Sequence, residues 1–307
     1  MRNKFADVIY EIGKKDKRIC ALVADISPAG SMMNFRTEFP ERFINCGVAE
    51  QSMIGIAAGL ALRGMRPFCY TIATFALYRP FEMIRVDLCY QNLPVTVIGM
   101  GAGVIYSTLG GTHHTMEDIS VATSIPGMQV LAPCDPLEMR EATLWCATQN
   151  KSPVYMRLGK IGEPDLTSSS KSKFEFGKIR YLKKGSEIAI ISYGITVNLA
   201  KELSMKLEEM GKSVSVISCH TIKPLDTNGI IETLQQHKMN IVIEEHVPHG
   251  GLSSRVKVIS SDIKNKNDLE CFTLKDKFIH FYGNHKELLE EHGLSIEKIL
   301  KNIKPKI

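Results

Sequence analysis

The chain has eight cysteines in 307 residues, yet no CxxC pair and no His/Cys spacing of a metal site. A zinc knuckle, an iron–sulfur ligand set and a disulfide-stapled scaffold are therefore not indicated. Cys20, Cys46, Cys69, Cys89 and Cys219 sit among apolar neighbours and read as small buried thiols in a reducing compartment. No apolar run is long enough to span a bilayer. The opening stretch, MRNKFADVIYEIGKK, is charged and helical in pattern, without the apolar core of a secretion signal, so the expected location is cytoplasmic. Neither sign of charge dominates. The net charge is +5, and Lys and Arg are scattered, which excludes a nucleic-acid stripe. The Lys-rich residues 298–306 read as a solvated helix end.

Apolar residues at 44% and charged residues at 23% are those of a soluble globular protein, and the length suits one large or two ordinary domains. Along the first half, helix-like and strand-like segments alternate. ICALVAD, PFCYTI, PVTVIG and SPVYMRL read as strands. Residues 48–63, 80–91 and 135–149 read as helices, with Gly64 and Pro67 closing the first of them. Such alternation predicts a parallel sheet covered by helices. Residues 161–177, rich in Ser, Lys, Gly and Pro, read as a linker. A second alternating unit follows. The expected fold is thus α/β: two doubly wound α/β domains, residues 1–160 and 178–307, joined by residues 161–177.

One segment carries chemistry. Residues 45–64, NCGVAEQSMIGIAAGLALRG, place a single carboxylate, Glu50, in an uncharged run of small residues. A buried carboxylate costs free energy unless something binds it. An acidic residue in a first helical turn is also commonplace, because the helix dipole favours it. Gly55, Ala57, Ala58 and Gly59 would let another backbone approach closely, as at a subunit interface.

The pattern GVAEQxMxGIAxGLA, with TIATFALYRPFEMIR (residues 71–85) and THxxxEDIxxxxxIPG (residues 112–127), resembles the transketolase superfamily nearly position for position. The resemblance implies a thiamine-diphosphate enzyme. Glu50 would hydrogen-bond the cofactor's aminopyrimidine and activate it, Phe75 would stack on that ring, and Tyr78 would stand beside it. His113 would face the reactive end, binding substrate oxygens and shuttling protons. By register, Arg2 and Lys160 match phosphate clamps, and Asp25 in VADISPAGS matches an Asp near the cofactor. The pattern departs from the family at two positions that usually hold a His and an Asp contacting sugar hydroxyls. Here they are Gly101 and Leu109. Ketol transfer is implied as a class, and ordinary pentose-phosphate substrates are put in question.

No GDG appears in the chain, and too few residues precede Arg2 to hold the domain that carries it. The resemblance is thus to the C-terminal subunit of a split transketolase: a pyrimidine-binding domain and a transketolase C-terminal domain. It implies a partner N-terminal subunit that holds the diphosphate through Mg²⁺ or Ca²⁺, a self-dimer and an α2β2 assembly acting on a phosphorylated or activated sugar. CHTIKPLD (residues 219–226) and EEHVPHGGLSS (residues 244–254) resemble stretches of the same C-terminal domain. His246 and His249 lack a third ligand and are expected at an interface or on the surface. Two alternatives remain. One is the beta subunit of a 2-oxoacid decarboxylase or dehydrogenase, or a deoxyxylulose-phosphate-synthase-like enzyme. The other is a non-catalytic scaffold.

Overall fold

The computed structural model describes residues 1–26, 32–160 and 162–307. Residues 27–31 of the VADISPAGS segment, and residue 161 at the head of the expected linker, lie outside them.

Alternating buried strands and amphipathic helices give two sheets. The first contains β1 (Ile19–Val23), β2 (Phe43–Asn45), β3 (Arg66–Ile72), β4 (Thr96–Met100), β5 (Gln129–Leu131) and β6 (Val154–Leu158). The second contains β7 (Arg180–Lys183), β8 (Ile188–Ser192), β9 (Val214–Ser218), β11 (Met239–Ile243) and β12 (Asp268–Phe272), while β10 (Thr221–Lys223) departs to the first. The order of the first sheet is β10-β5-β6-β4-β3-β1-β2, and that of the second is β12-β11-β8-β9-β7. All pairs are parallel except β10 on β5 and β7 on β9. β1, β4, β6, β8, β9 and β11 are buried at every position, as strands covered on both faces must be.

Two features refine the sequence reading. The Ser- and Lys-rich stretch is pinned to the first sheet's helices. Asp135 accepts hydrogen bonds from the Leu166 and Thr167 amides at 2.9 and 2.8 Å, and the sole tryptophan, Trp145, stacks on Phe176 at 3.8 Å. Residues 80–91, expected as one helix, are a short turn at Phe81–Met83 followed by a π-helix over Ile84–Tyr90. All eight cysteines are free, and of the five read as buried, Cys46 is only half-buried because it follows β2, the sheet's edge strand.

The two halves are bolted together by buried polar contacts. Arg157 on β6 donates through Nε to Asp118 at 3.0 Å and through Nη2 to the Glu245 carbonyl at 2.9 Å. Burial opposes the guanidinium's charge, but Asp118, together with Tyr193, Glu245 and Tyr155, outweighs it and holds it protonated. The Glu245 side chain accepts from the Val104 amide at 2.7 Å and from His285 Nε2 at 2.8 Å. His246, expected at an interface or surface, is fully buried, and its Nε2 accepts from the Ser120 amide at 3.2 Å between the halves of this one chain. His249 is exposed and pairs with Asp276.

Candidate active site

In an open parallel sheet, ligands bind beyond the carboxyl ends of the strands, where the strand order reverses. Here the chain leaves β1 for β2 on one flank and then crosses to β3 on the other, so the reversal lies between β1 and β3. Asp25 follows β1, Glu50 follows β2, Phe75 and Tyr78 follow β3, His113 lies in the loop leaving β4, and Lys160 follows β6. Topology alone therefore brings six of the seven sequence-nominated residues to one end of the sheet. Arg2 opens the first helix, Arg2–Gly13.

Glu50 is the first residue of helix Glu50–Leu62 and is 3% exposed. Its carboxylate sits at the helix's positive end, which favours negative charge. Its partner is Arg79, which the sequence reading passed over. Nη1 of Arg79 donates to Oε2 at 3.0 Å and Oε1 at 3.2 Å. The same guanidinium lies over the Phe75 ring, 4.2 Å from its centroid. A flat, positively charged, hydrogen-bond-donating plane thus stands between an aromatic face and a buried carboxylate. Those are the requirements of a protonated nitrogen heterocycle in the same place.

His113 meets the edge of Phe75 at 5.3 Å and 72°. Its Nδ1 pairs with the Thr112 hydroxyl at 2.9 Å, which leaves Nε2 for a ligand. Burial lowers its pKa below 6.5, so the ring is neutral at pH 7. The loop that carries it is fixed at both ends. Gly103 and Thr115 exchange backbone hydrogen bonds at 2.9 and 2.8 Å, and Thr115 also shares a hydroxyl contact with Thr74 at 2.7 Å. Gly103 has φ +75°, and a Cβ there would lie 2.3 Å from the Glu245 carboxyl carbon. His114 turns into the protein and is buried.

The cations form the far side. Lys160 Nζ lies 4.8 Å over the ring of Tyr106, whose other edge faces His113 at 5.9 Å. The Nε of Arg2 is buried without a hydrogen-bond partner. Tyr106 is a second residue that the sequence reading missed. Two nominated residues stand apart. Tyr78 packs against the core of the first sheet, where burial and then the Asp118 and Glu117 charges push its phenol upward. Asp25 is exposed at φ +46°, its amide bonded to Asn45 Oδ1 at 3.2 Å. The small residues of the Glu50 helix also divide. Ala57 and Ala58 face the chain's own core, while only Gly55 and Gly59 look outward, with nothing within 4 Å of their added Cβ positions. Among the described residues, no group of three or more His, Cys, Asp or Glu could hold a metal ion.

Residues 1–162 match the family model for the transketolase pyrimidine-binding domain, and residues 177–299 match that for the transketolase C-terminal domain. The chain is 33% identical over 300 residues to one of the subunits of the apulose-4-phosphate transketolase of Phocaeicola vulgatus, covering 98% of this chain and 95% of that one. It is 34% identical over 255 residues to the 6-deoxy-6-sulfo-D-fructose transketolase subunit SqwH of Clostridium sp. (strain MSTE9), covering 83% and 78%. A solved structure described as a split gene transketolase, inactive beta4 tetramer, superposes with a TM-score of 0.87 at 32% identity, covering 99% of this chain and 96% of that chain.

Proposed function

Because this chain belongs to the transketolase family, with both its pyrimidine-binding and C-terminal domains, we propose that it is one subunit of a two-chain, thiamine-diphosphate-dependent enzyme that moves a two-carbon ketol unit from a ketose to an aldose. The observation that carries this reading is the Glu50–Arg79–Phe75 sandwich, a slot already holding a flat cation. Bound there, the cofactor supplies the carbon nucleophile and electron sink of ketol transfer. Glu50 would hydrogen-bond the cofactor's ring, Phe75 would offer its face, and Arg79 would withdraw toward solvent, where its side chain is already 45% exposed. His113, neutral, accepts or returns a proton at Nε2. Arg2 and Lys160 clamp a terminal oxyanion of the sugar, Lys160 as a point charge. The two relatives' names, apulose-4-phosphate and 6-deoxy-6-sulfo-D-fructose, both carry such a group.

The diphosphate and its Mg²⁺ or Ca²⁺ are assigned to the partner subunit, since no GDG occurs in this chain. The outward face of the Glu50 helix, with Gly55, Ile56, Gly59 and Leu62 exposed, and Val48 exposed just before it, supports a partner surface beside the site. An α2β2 assembly follows if each active site lies between unlike chains and the dimer is symmetric.

The test is reconstitution with a subunit that carries the GDG motif. Wild-type mixtures should transfer ketol units only with thiamine diphosphate present. Glu50→Gln should abolish that turnover while the assembly mass in light scattering stays the same. Full turnover in Glu50→Gln, or release of acetaldehyde or acetyl products from pyruvate instead of ketol transfer, would overturn the reading.

A further inference from the structure

A cleft of about 370 Å³ lies between the two halves of the chain, and none of Glu50, Phe75 and His113 lines it. The volume suits a small organic ligand. Ile105, from the loop leaving β4, forms one wall. Ile195 and Leu199 at the start of helix Thr196–Glu209, and Leu289 of helix His285–His292, add apolar surface. The charged lining is one-sided. Glu163 from the joining stretch, with Glu202, Glu290 and Glu297 from three different helices, brings four carboxylates against the ammonium of Lys286. His285 also lines the cleft, but its Nε2 is committed to Glu245 Oε1 at 2.8 Å.

Those carboxylates are short of partners. The Glu163 side chain is 6% exposed, and its Oε2 accepts from the amino group of Met1 at 2.6 Å, while its Oε1 is buried with no hydrogen-bond partner. A buried acceptor left unfilled costs free energy until a donor reaches it. Glu202 accepts from Asn198 Nδ2 at 2.8 Å, and none of Glu202, Glu290 and Glu297 makes an ion pair with a described residue. The chain as a whole carries a charge of +5, so the acidity of this cleft is local and runs against the overall field.

We propose that the cleft is an effector site for an aliphatic diamine. The hydrocarbon body lies against Ile105, Leu199 and Leu289. One ammonium supplies the donor that Glu163 Oε1 lacks, and the other meets the carboxylates of the helices. An ammonium carries three N–H donors and no acceptor, which matches acceptor-only carboxylates. The occupant also bears on the candidate active site. Ile105 adjoins Val104, whose amide donates to Glu245 Oε1 at 2.7 Å, the same oxygen that His285 holds. A ligand seated between Ile105 and His285 therefore braces the loop that leads to His113.

The full-length chain is titrated calorimetrically with cadaverine and with glutarate, the dicarboxylate of the same carbon count. Cadaverine should bind and glutarate should not. Glu163→Gln should weaken cadaverine roughly tenfold, the worth of one charge-assisted hydrogen bond. Because Glu163 also holds Met1, a chain carrying both Glu290→Gln and Glu297→Gln is the second test. Those positions are half-buried and exposed, so its melting curve should match wild type while its cadaverine affinity falls by a similar factor. In hydrogen exchange, cadaverine should slow residues 104–113 of the wild type. No heat with cadaverine, glutarate binding as tight as cadaverine, equal affinity in wild type and both variants, or unaltered exchange at residues 104–113 with the diamine bound would each overturn the proposal. Calorimetry here needs no partner subunit and no turnover, so its outcome is independent of the reaction proposed above.

Discussion

Arg79 and Glu50 are joined through a single guanidinium nitrogen, 3.0 and 3.2 Å from the two carboxylate oxygens, while the rest of that guanidinium lies over Phe75. The carboxylate is 3% exposed and the arginine 45%. The pair is therefore asymmetric: one partner has no route to water, and the other can swing out. Such an arrangement satisfies a buried charge, and on the proposed reading it would make cofactor binding an exchange of partners rather than an insertion.

Arg79→Ala leaves the Glu50 carboxylate buried and unpaired, which is destabilising. The arginine is half exposed, so the loss is on the order of 1 kcal/mol, a fall of about 2–4 °C in Tm. The same variant should take up thiamine diphosphate more tightly in the two-subunit complex, because no guanidinium has to be displaced. Calorimetric titration measures this, and weaker uptake would show that Arg79 holds the cofactor rather than its place.

His113→Asn should reduce kcat by roughly 100-fold, the scale of a lost general acid–base group. In the wild type, burial depresses the His113 pKa below 6.5. The ring is thus neutral above that value, and kcat/KM should stay level from pH 8 downward and fall only below about pH 6.5. A fall that begins at pH 7 or higher would assign the acid limb to another group.

His285 and Glu245 make a pH-dependent clasp. Burial lowers the pKa of His285, and the charge and hydrogen bond of Glu245 together outweigh it, so the net shift is upward. Burial likewise raises Glu245, and His285, with Arg157 and the Val104 amide, outweighs it, so the net shift is downward. A histidine raised on folding contributes stability that is present in full below its unfolded pKa of about 6.5 and is lost as pH rises through the folded value. His285→Gln, which keeps a donor but not the charge, should therefore lower Tm more at pH 6 than at pH 8.5. Thermal melts at the two pH values decide it.

Gly103→Ala places a methyl 2.3 Å from the Glu245 carboxyl carbon at φ +75°. Backbone strain and overpacking together cost about 1–3 kcal/mol. The urea midpoint should fall with the m-value unchanged. Ketol transfer should suffer too, since Glu245 anchors the loop that carries His113 through Val104.

Much of this was legible in the sequence. Short apolar runs alternating with helix-like segments, punctuated by Gly64 and Pro67, announce the parallel sheet, and the Glu50 run announces a helix that begins with a buried acid. What escaped depends on contacts distant along the chain. Arg79 follows an aromatic in a polar turn and reads as a surface charge until the fold sets it against Glu50, 29 residues away. Tyr106 lies in a loop without periodicity, and only the left-handed backbone of Gly101 brings its ring into place. The burial of His246 depends on the amide of Ser120, 126 residues earlier, which no local pattern can report.

β10 arises in the second half of the chain and completes the first sheet by pairing with β5, Thr221 opposite Leu131 and Lys223 opposite Val130. Lys223 reinforces the seam by donating to the carbonyls of Thr123 and Ile125 at 2.8 and 2.6 Å. Severed near residue 177, the leading fragment would bare a row of unsatisfied amides and carbonyls along β5, a template for sticking to its own kind. The trailing half therefore covers an edge that the leading half alone would leave open.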